Sequence, residues 1–216
     1  MELFEVLAED LLGRIGRLRT RDGKSAETPL FFPVINPITQ DIPANWMKEN
    51  LGAKAVITNA YILSKRLKEQ ALSRGVHGVL NFDGIIMTDS GGYQILEYGD
   101  VEASPEEIAN FQEDIGSDIA VPLDIPTGMG RREKAEETVE KTLRNLRVTL
   151  GVLKERGSRR ALWTAPIQGG IYLDLLQRCA EEELQMNFDL FALGSPTPLM
   201  EGYQFSKLFK MIFAVK

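Results

Sequence analysis

Short, nearly uninterrupted apolar runs alternate along this chain with longer stretches in which apolar residues recur every three or four positions. The short runs cover residues 31–36, 55–59, 85–88, 118–123, 162–167 and 190–193. Apolar runs of that length read as strands buried on both faces of a parallel sheet. The longer stretches read as helices. Residues 42–50 follow Asp41, a residue able to cap them. Residues 104–115 open on Ser104-Pro105-Glu106-Glu107, which offers an N-cap, a proline for the first helical position and acids for the first turn. Residues 131–156 are long and charged, 172–186 carry apolar residues at helical spacing, and 205–215 close the chain.

Strands and helices in alternation imply βα units joined by right-handed crossovers. Two architectures satisfy this: an open doubly wound sheet and a (β/α)8 barrel. The strand ends separate them. Asn36, Asn59, Asp89-Ser90, Asp124, Gln168 and Ser195 put a polar or turn-forming residue at the C-terminal end of each run. A barrel gathers those ends on its active face, whereas an open sheet uses only the ends beside its switch point. The expected fold is therefore α/β, a (β/α)8 TIM barrel, incomplete, with about six of the eight βα units. An unclosed barrel exposes two parallel edges, so a homodimer or a complementary C-terminal chain is expected to cover them.

Composition changes this picture little. The chain has 216 residues, 44% hydrophobic and 26% charged, with a net charge of −6. It lacks the global basic field of a non-specific nucleic-acid binder. Its local basic groups (Arg14, Arg17, Arg19, Arg21 and Lys24; Arg131, Arg132 and Lys134; Arg156, Arg159 and Arg160) read first as solvated surface. No run approaches the roughly 18 apolar residues of a membrane span, and the acidic start is unlike a signal peptide. One cysteine, Cys179, excludes an internal disulfide framework and fits a cytoplasmic setting. With one histidine as well, the chain cannot build a Cys/His zinc centre. His77 lies in the turn-like Arg74-Gly75-Val76-His77-Gly78, where a structural role is expected; no Ser/His/Asp triad and no strand-end Schiff-base lysine suggest themselves.

The chemistry gathers at the strand ends. Asp89-Ser90-Gly91-Gly92-Tyr93-Gln94 follows a buried run, and desolvation there suits Asp89 to acid/base work. The glycines let backbone approach a flat ligand, and Tyr93 offers a stacking face. A plain helix N-cap before a glycine turn explains the same residues about as well. Asp124-Ile125-Pro126-Thr127 brings a second carboxylate, matched to the N1–H and amino edge of guanine or equally to a cap before a proline turn. Gln168-Gly169-Gly170 adds an amide suited to a purine O6/N7 edge, or a loop before the next helix. Gly194, in a rigid turn with Ser195, Pro196, Thr197 and Pro198, could turn a backbone N–H toward a ligand.

The same residues resemble a known family. Residues 88–94, preceded by Phe82-Asp83-Gly84-Ile85-Ile86, are similar to the hallmark of tRNA-guanine transglycosylases. Phe32-Pro33-Val34, Thr58-Asn59-Ala60-Tyr61, Gln168-Gly169-Gly170 with Tyr172 and Asp174, and the glycine turn at 194 follow in the family order. Residues 97–102 and 123–127 resemble the archaeal, archaeosine-type branch. The resemblance implies a TIM-barrel enzyme that exchanges a guanine in the tRNA D-loop for 7-cyano-7-deazaguanine (preQ0) through a covalent tRNA–enzyme intermediate. It implies that Asp89 is the catalytic acid/base, that Ser90, Asp124, Gln168 and the Gly194 backbone read the base, and that Tyr93 stacks on it. The family's covalent nucleophile is another aspartate near the last barrel strand. That aspartate, the three-Cys, one-His zinc site and the C-terminal tRNA-binding domains are expected beyond residue 216. One departure stands out. Archaeal members often place a glycine pair and small apolar residues at the sixth strand end, where this chain has Ser195-Pro196-Thr197, and proline has no N–H to give. The alternative to an enzyme is a non-catalytic base- or tRNA-binding subunit or paralogue acting with a partner chain.

Overall fold

Charged residues build the first sheet. In a computed structural model, which describes residues 2–11, 13–92, 94, 103–194 and 196–216, strands β1 (Phe4–Asp10), β2 (Gly13–Arg19) and β3 (Ser25–Thr28) pair antiparallel in the order β1-β2-β3. Arg19 meets Glu5 at 2.6 Å, and Arg17 meets Glu27 at 3.3 Å across the strands. Phe4 lies over Gly16, where any side chain would strike its ring. The apolar pattern holds no sign of this sheet, because its strands are largely exposed. The first basic group is thus partly neutralised in cross-strand pairs.

The chain divides into two compact units. The first holds residues 1–90, 110–120 and 157–162. Its expected first barrel strand, 31–36, is not a strand. It forms a single parallel bridge, Val34 to Ile57, flanked by Ile35 N–H donating to Ile57 O at 2.8 Å and Ile57 N–H to Pro33 O at 2.9 Å. Pro29, Pro33 and Pro37 remove ladder donors, and Phe31 and Val34 face solvent while only Ile35 is buried. Helix α1 (Ala44–Leu51) starts after Pro43 with no side-chain cap, so Asp41 does not cap it.

Strand β4 (Ala55–Asn59) runs into α2 (Ala60–Arg66), capped by the Asn59 side chain, which accepts the Ile62 N–H at 2.9 Å. Helix α3 (Lys68–Leu80) is broken at Gly75, whose φ of 69° and ψ of 165° leave the helix. His77 therefore sits on the helical turn after this kink rather than in a loop. Strand β5 (Ile85–Asp89) pairs parallel to β4 from Ala55↔Ile85 to Asn59↔Asp89, and β6, reduced to Ile119–Ala120 from the expected 118–123, pairs parallel to β5. Val56, Ile86, Leu63, Val76, Leu80 and Phe111 form the apolar core beneath them. Asp118, almost fully buried, ties this unit together. Its carboxylate takes the Ile86 N–H and Lys24 Nζ, each at 2.7 Å, and His77 Nε2 lies 3.1 Å away but out of line for a hydrogen bond.

The second unit holds residues 91–109, 121–156 and 163–216. Helix α4 (Pro105–Asp114), whose residues 110–114 belong to the first unit, begins with the expected Ser104 cap, made reciprocal by Glu107: Glu107 N–H donates to Ser104 Oγ at 3.1 Å and Ser104 N–H to Glu107 at 2.9 Å. Helix α5 (Arg132–Arg156) buries Ala135, Val139, Leu143, Leu146 and Leu153 on one stripe. Strand β7 (Leu162–Ile167), buried throughout, pairs parallel to β8 (Leu190–Leu193) in the register Thr164↔Leu190 to Ile167↔Leu193. Helix α6 (Leu173–Leu184) lies between them in sequence, and α7 (Thr197–Glu201) and α8 (Phe205–Val215) follow. The fold is α/β with parallel strands in both units, and the α5 and α6 surfaces carry ion pairs such as Arg147–Glu182 at 2.8 Å.

Candidate active site

Parallel pairing puts the C-terminal ends of neighbouring strands side by side, so within each unit the polar end residues are brought to one edge. In the first unit that edge holds Asn59 and its registered partner Asp89. Asp89 is half-buried. The residue before it is held fast: Thr88 Oγ1 donates to Gln112 Oε1 at 2.7 Å and lies 2.8 Å from Ser117 Oγ. Ser90 is fully buried, and its hydroxyl has no hydrogen-bond partner among the described residues. A buried, unpartnered hydroxyl is costly without a ligand or water to meet it.

In the second unit Asp124, Gln168 and Gly194 come together. Asp124 is 7% exposed and accepts Gln168 Nε2 at 2.6 Å. The amide is oriented from its other side, where Gln168 Oε1 accepts the Thr127 N–H at 3.2 Å and lies 3.3 Å from Thr127 Oγ1. Thr127 Oγ1 also takes the Gly169 N–H at 3.2 Å and meets Thr138 Oγ1 at 2.8 Å. The Asp-Ile-Pro-Thr turn thus clamps Gln168, and Thr127 holds a role that the strand-end pattern does not single out.

Glycines make the approach to this pair. Gly91 has a φ of 99°, a conformation that disfavours side chains. A Cβ on Gly92 would collide with Asp124 Oδ1 and come within 2.8 Å of the Asp124 carbonyl. One on Gly194 would lie 2.5 Å from Gln168 Nε2. The expectation that Gly194 turns its N–H toward a ligand is corrected: that N–H donates to Ile167 O at 2.8 Å, extending the β7–β8 ladder. What Gly194 contributes is the absence of a side chain over Gln168. Gly169 answers to packing, because a Cβ there would sit 2.7 Å from Leu176 N at the start of α6.

Behind the pair lies a second row that the strand-end pattern does not reveal. Gln168 N–H donates to Cys179 Sγ at 3.4 Å, and the Cys179 thiol faces Glu183 Oε1 at 3.3 Å. Burial pushes the Glu183 carboxyl up to about 8, with the Cys179 bond opposing and Asp124 adding to the rise. Burial, with Glu183 close by, also raises the Cys179 thiol far above its ordinary value, so it is inert as a nucleophile. The available signal was an acid on the buried stripe of a helix, four residues after Cys179.

Tyr93 and Ser195 lie outside the described residues. Among the described residues no three His, Cys, Asp or Glu side chains are placed to hold a metal ion. The zinc implied by the resemblance therefore has no ligand set there. No helix among them is long and apolar enough to cross a membrane.

Residues 10–216 match the family model described as TGT: Queuine tRNA-ribosyltransferase. A "tRNA-guanine(15) transglycosylase" of Methanosarcina barkeri is 45% identical over 99% of this chain, and one of Aeropyrum pernix is 44% identical over 99%. A third, from Nanoarchaeum equitans, is 42% identical over 97%. The chain spans 43%, 41% and 49% of these three relatives.

Proposed function

Because the chain belongs to the queuine tRNA-ribosyltransferase family, we propose that it is the base-reading part of a tRNA-guanine transglycosylase of the archaeosine type, an enzyme that exchanges a tRNA D-loop guanine for preQ0. In the complete protein the parallel strands would belong to a (β/α)8 barrel, with zinc as its structural metal and the cytoplasm as its setting. Asp89 would pass the ring proton of the departing and incoming base. Asp124 would accept the N1–H and amino edge of the base, and Gln168 would meet its carbonyl edge. Ser90 would give its buried hydroxyl a partner in the base, Gly194 would leave room above Gln168, and Tyr93 would stack. None of residues 1–216 is assigned as the covalent nucleophile.

The observation that carries this reading is the buried Asp124–Gln168 pair, oriented by Thr127 and approached past Gly92 and Gly194. An acceptor-rich carboxylate beside an amide complements guanine, which presents two adjacent donors next to a carbonyl. The test is guanine exchange: the complete protein is incubated with tRNA and radiolabelled guanine. Incorporation that Asp89→Asn abolishes is expected. A folded protein that binds guanine yet incorporates none, with or without a partner chain, would overturn the catalytic reading in favour of a binding subunit.

A further inference from the structure

The buried stripe of α6 consists of Leu175, Leu176, Cys179, Ala180 and Glu183. The last is a carboxyl at a helical position where packing calls for an apolar residue, and it is fully buried. Its Oε1 faces the Cys179 thiol at 3.3 Å, Cys179 Sγ takes the Gln168 N–H at 3.4 Å, and Gln168 Nε2 reaches Asp124 at 2.6 Å. Glu183 Oε2 has no partner among the described residues.

We propose that Glu183 is a positioning residue for the base-reading pair: an un-ionised carboxylic acid that anchors the Gln168 backbone through Cys179 and keeps a second negative charge away from Asp124. This rests on the base-pocket reading above.

Among the described residues the surroundings supply no cation to hold a carboxylate. The ionisable groups acting on Glu183 are Cys179, on its own helix, and Asp124. Strand β7 carries no charged residue. On α5 and α6, Arg147 and Arg178 pair at the exposed surface, both with Glu182 and Arg178 also with Glu140, and Arg144 and Lys154 are exposed. Lys207 and Lys210 of α8 are exposed. A thiol is a weak donor, too weak to compensate a buried carboxylate, whereas a neutral acid needs no counter-charge and leaves one O–H to be met, a smaller cost than a buried charge. Burial accordingly raises the Glu183 pKa to about 8. A carboxyl is also the right group for the link, since an aliphatic side chain would leave the thiol without an acceptor.

The test measures guanine affinity against pH across the range bracketing 8 in the complete protein, for the wild type, Glu183→Gln and Glu183→Leu. The amide keeps the acceptor for Cys179 and cannot ionise. Glu183→Gln should match the wild type within about threefold at neutral pH, and should lack the loss of affinity that ionisation of Glu183 produces in the wild type. Guanine's own titration is common to all three proteins, so the difference between profiles belongs to residue 183. Glu183→Leu should bind about tenfold more weakly than Glu183→Gln at every pH, as loss of one ordered hydrogen-bonded link predicts. A purely structural role would shift the melting temperature of both variants and leave the pH profile alone. Difference infrared spectra should show a protonated carboxyl stretch at neutral pH that Glu183→Gln removes. A wild type that binds no guanine overturns the base-pocket reading and this proposal with it. A wild type that binds, with an unaltered pH profile in Glu183→Gln or no protonated band, overturns this proposal alone, even if Glu183→Leu fails to fold.

Discussion

Asp89 ends the parallel strand β5, Asp124 lies four residues beyond β6, and the two differ in burial. Asp89, in the first unit, is half-buried at a ladder end, next to Thr88, which is bonded to Gln112 and Ser117. Asp124, in the second unit, is 7% exposed and bonded directly to Gln168, with Thr127, Cys179 and Glu183 behind that amide. On the proposed reading Asp89 moves a proton, which asks for an edge that a base can reach. A group that must recognise a fixed donor pattern benefits from being locked before the ligand arrives, since the ordering cost is then met in folding. The first unit has its own locked acid, Asp118, bonded to Lys24 and to the Ile86 N–H, with no assigned part in base reading.

The largest test of this contrast is Asp89→Asn. It should lower guanine exchange by about 10²-fold or more, the usual weight of a general acid or base, while thermal stability and guanine affinity hold. Loss of stability on the same scale would mean that Asp89 is a structural cap after all.

Next comes the pH dependence of stability. The folded Glu183 pKa, about 8, lies above its ordinary 4.5, so the folded state binds a proton that the unfolded chain releases. Stability present below pH 4.5 is lost as pH rises, by about 3 kcal/mol at pH 7, and the loss levels off above pH 8. Denaturant unfolding of the wild type against Glu183→Gln should show this slope flattened in the variant.

A somewhat smaller effect is expected from Gly194→Ala, whose methyl would press on Gln168 Nε2 and Ile167 O. Overpacking of this kind costs about 1–3 kcal/mol, and base affinity should fall with it. Asp118→Ala should cost a similar 1–3 kcal/mol, approximately, by leaving the buried Ile86 N–H unpaired. Unlike Gly194→Ala, it should leave the guanine affinity of the folded protein unchanged, which calorimetric titration would show. Arg132→Gln, which removes the exposed contacts to Asp174 and Glu136, should change neither quantity measurably.

Particular residues show where local reading works. The Ser104 cap needs only the four residues around it, and the structure has it as expected, with the return bond from Ser104 N–H to Glu107 added. Helix α8 keeps its expected bounds, Phe205–Val215, because its apolar spacing declares it. Residues 31–36 fail for the opposite reason: they look like a strand by hydrophobicity, but a ladder needs donors that three nearby prolines cannot supply. Strands β1 to β3 escape the pattern because cross-strand charge pairs leave no apolar alternation in the sequence. The His77 segment has turn composition, yet α3 uses its Gly75 for a kink and then resumes.

The site divides along the same line. Asp89, Asp124, Gln168 and Gly194 could be picked out as candidates from the chain itself, because a polar or turn-forming residue ending an apolar run is a local signal and, within each unit, parallel pairing carries such ends to one edge. The order of those motifs was also enough to place the chain in its family. Three features were decided elsewhere: that the Gln168 amide bonds Asp124 on one side and Thr127 on the other, that the Gly194 N–H is committed to Ile167, and that Glu183 stands behind the amide through Cys179. Hydrogen-bond partners and pKa values depend on groups distant in sequence and on the water that packing removes, and only the tertiary structure sets either.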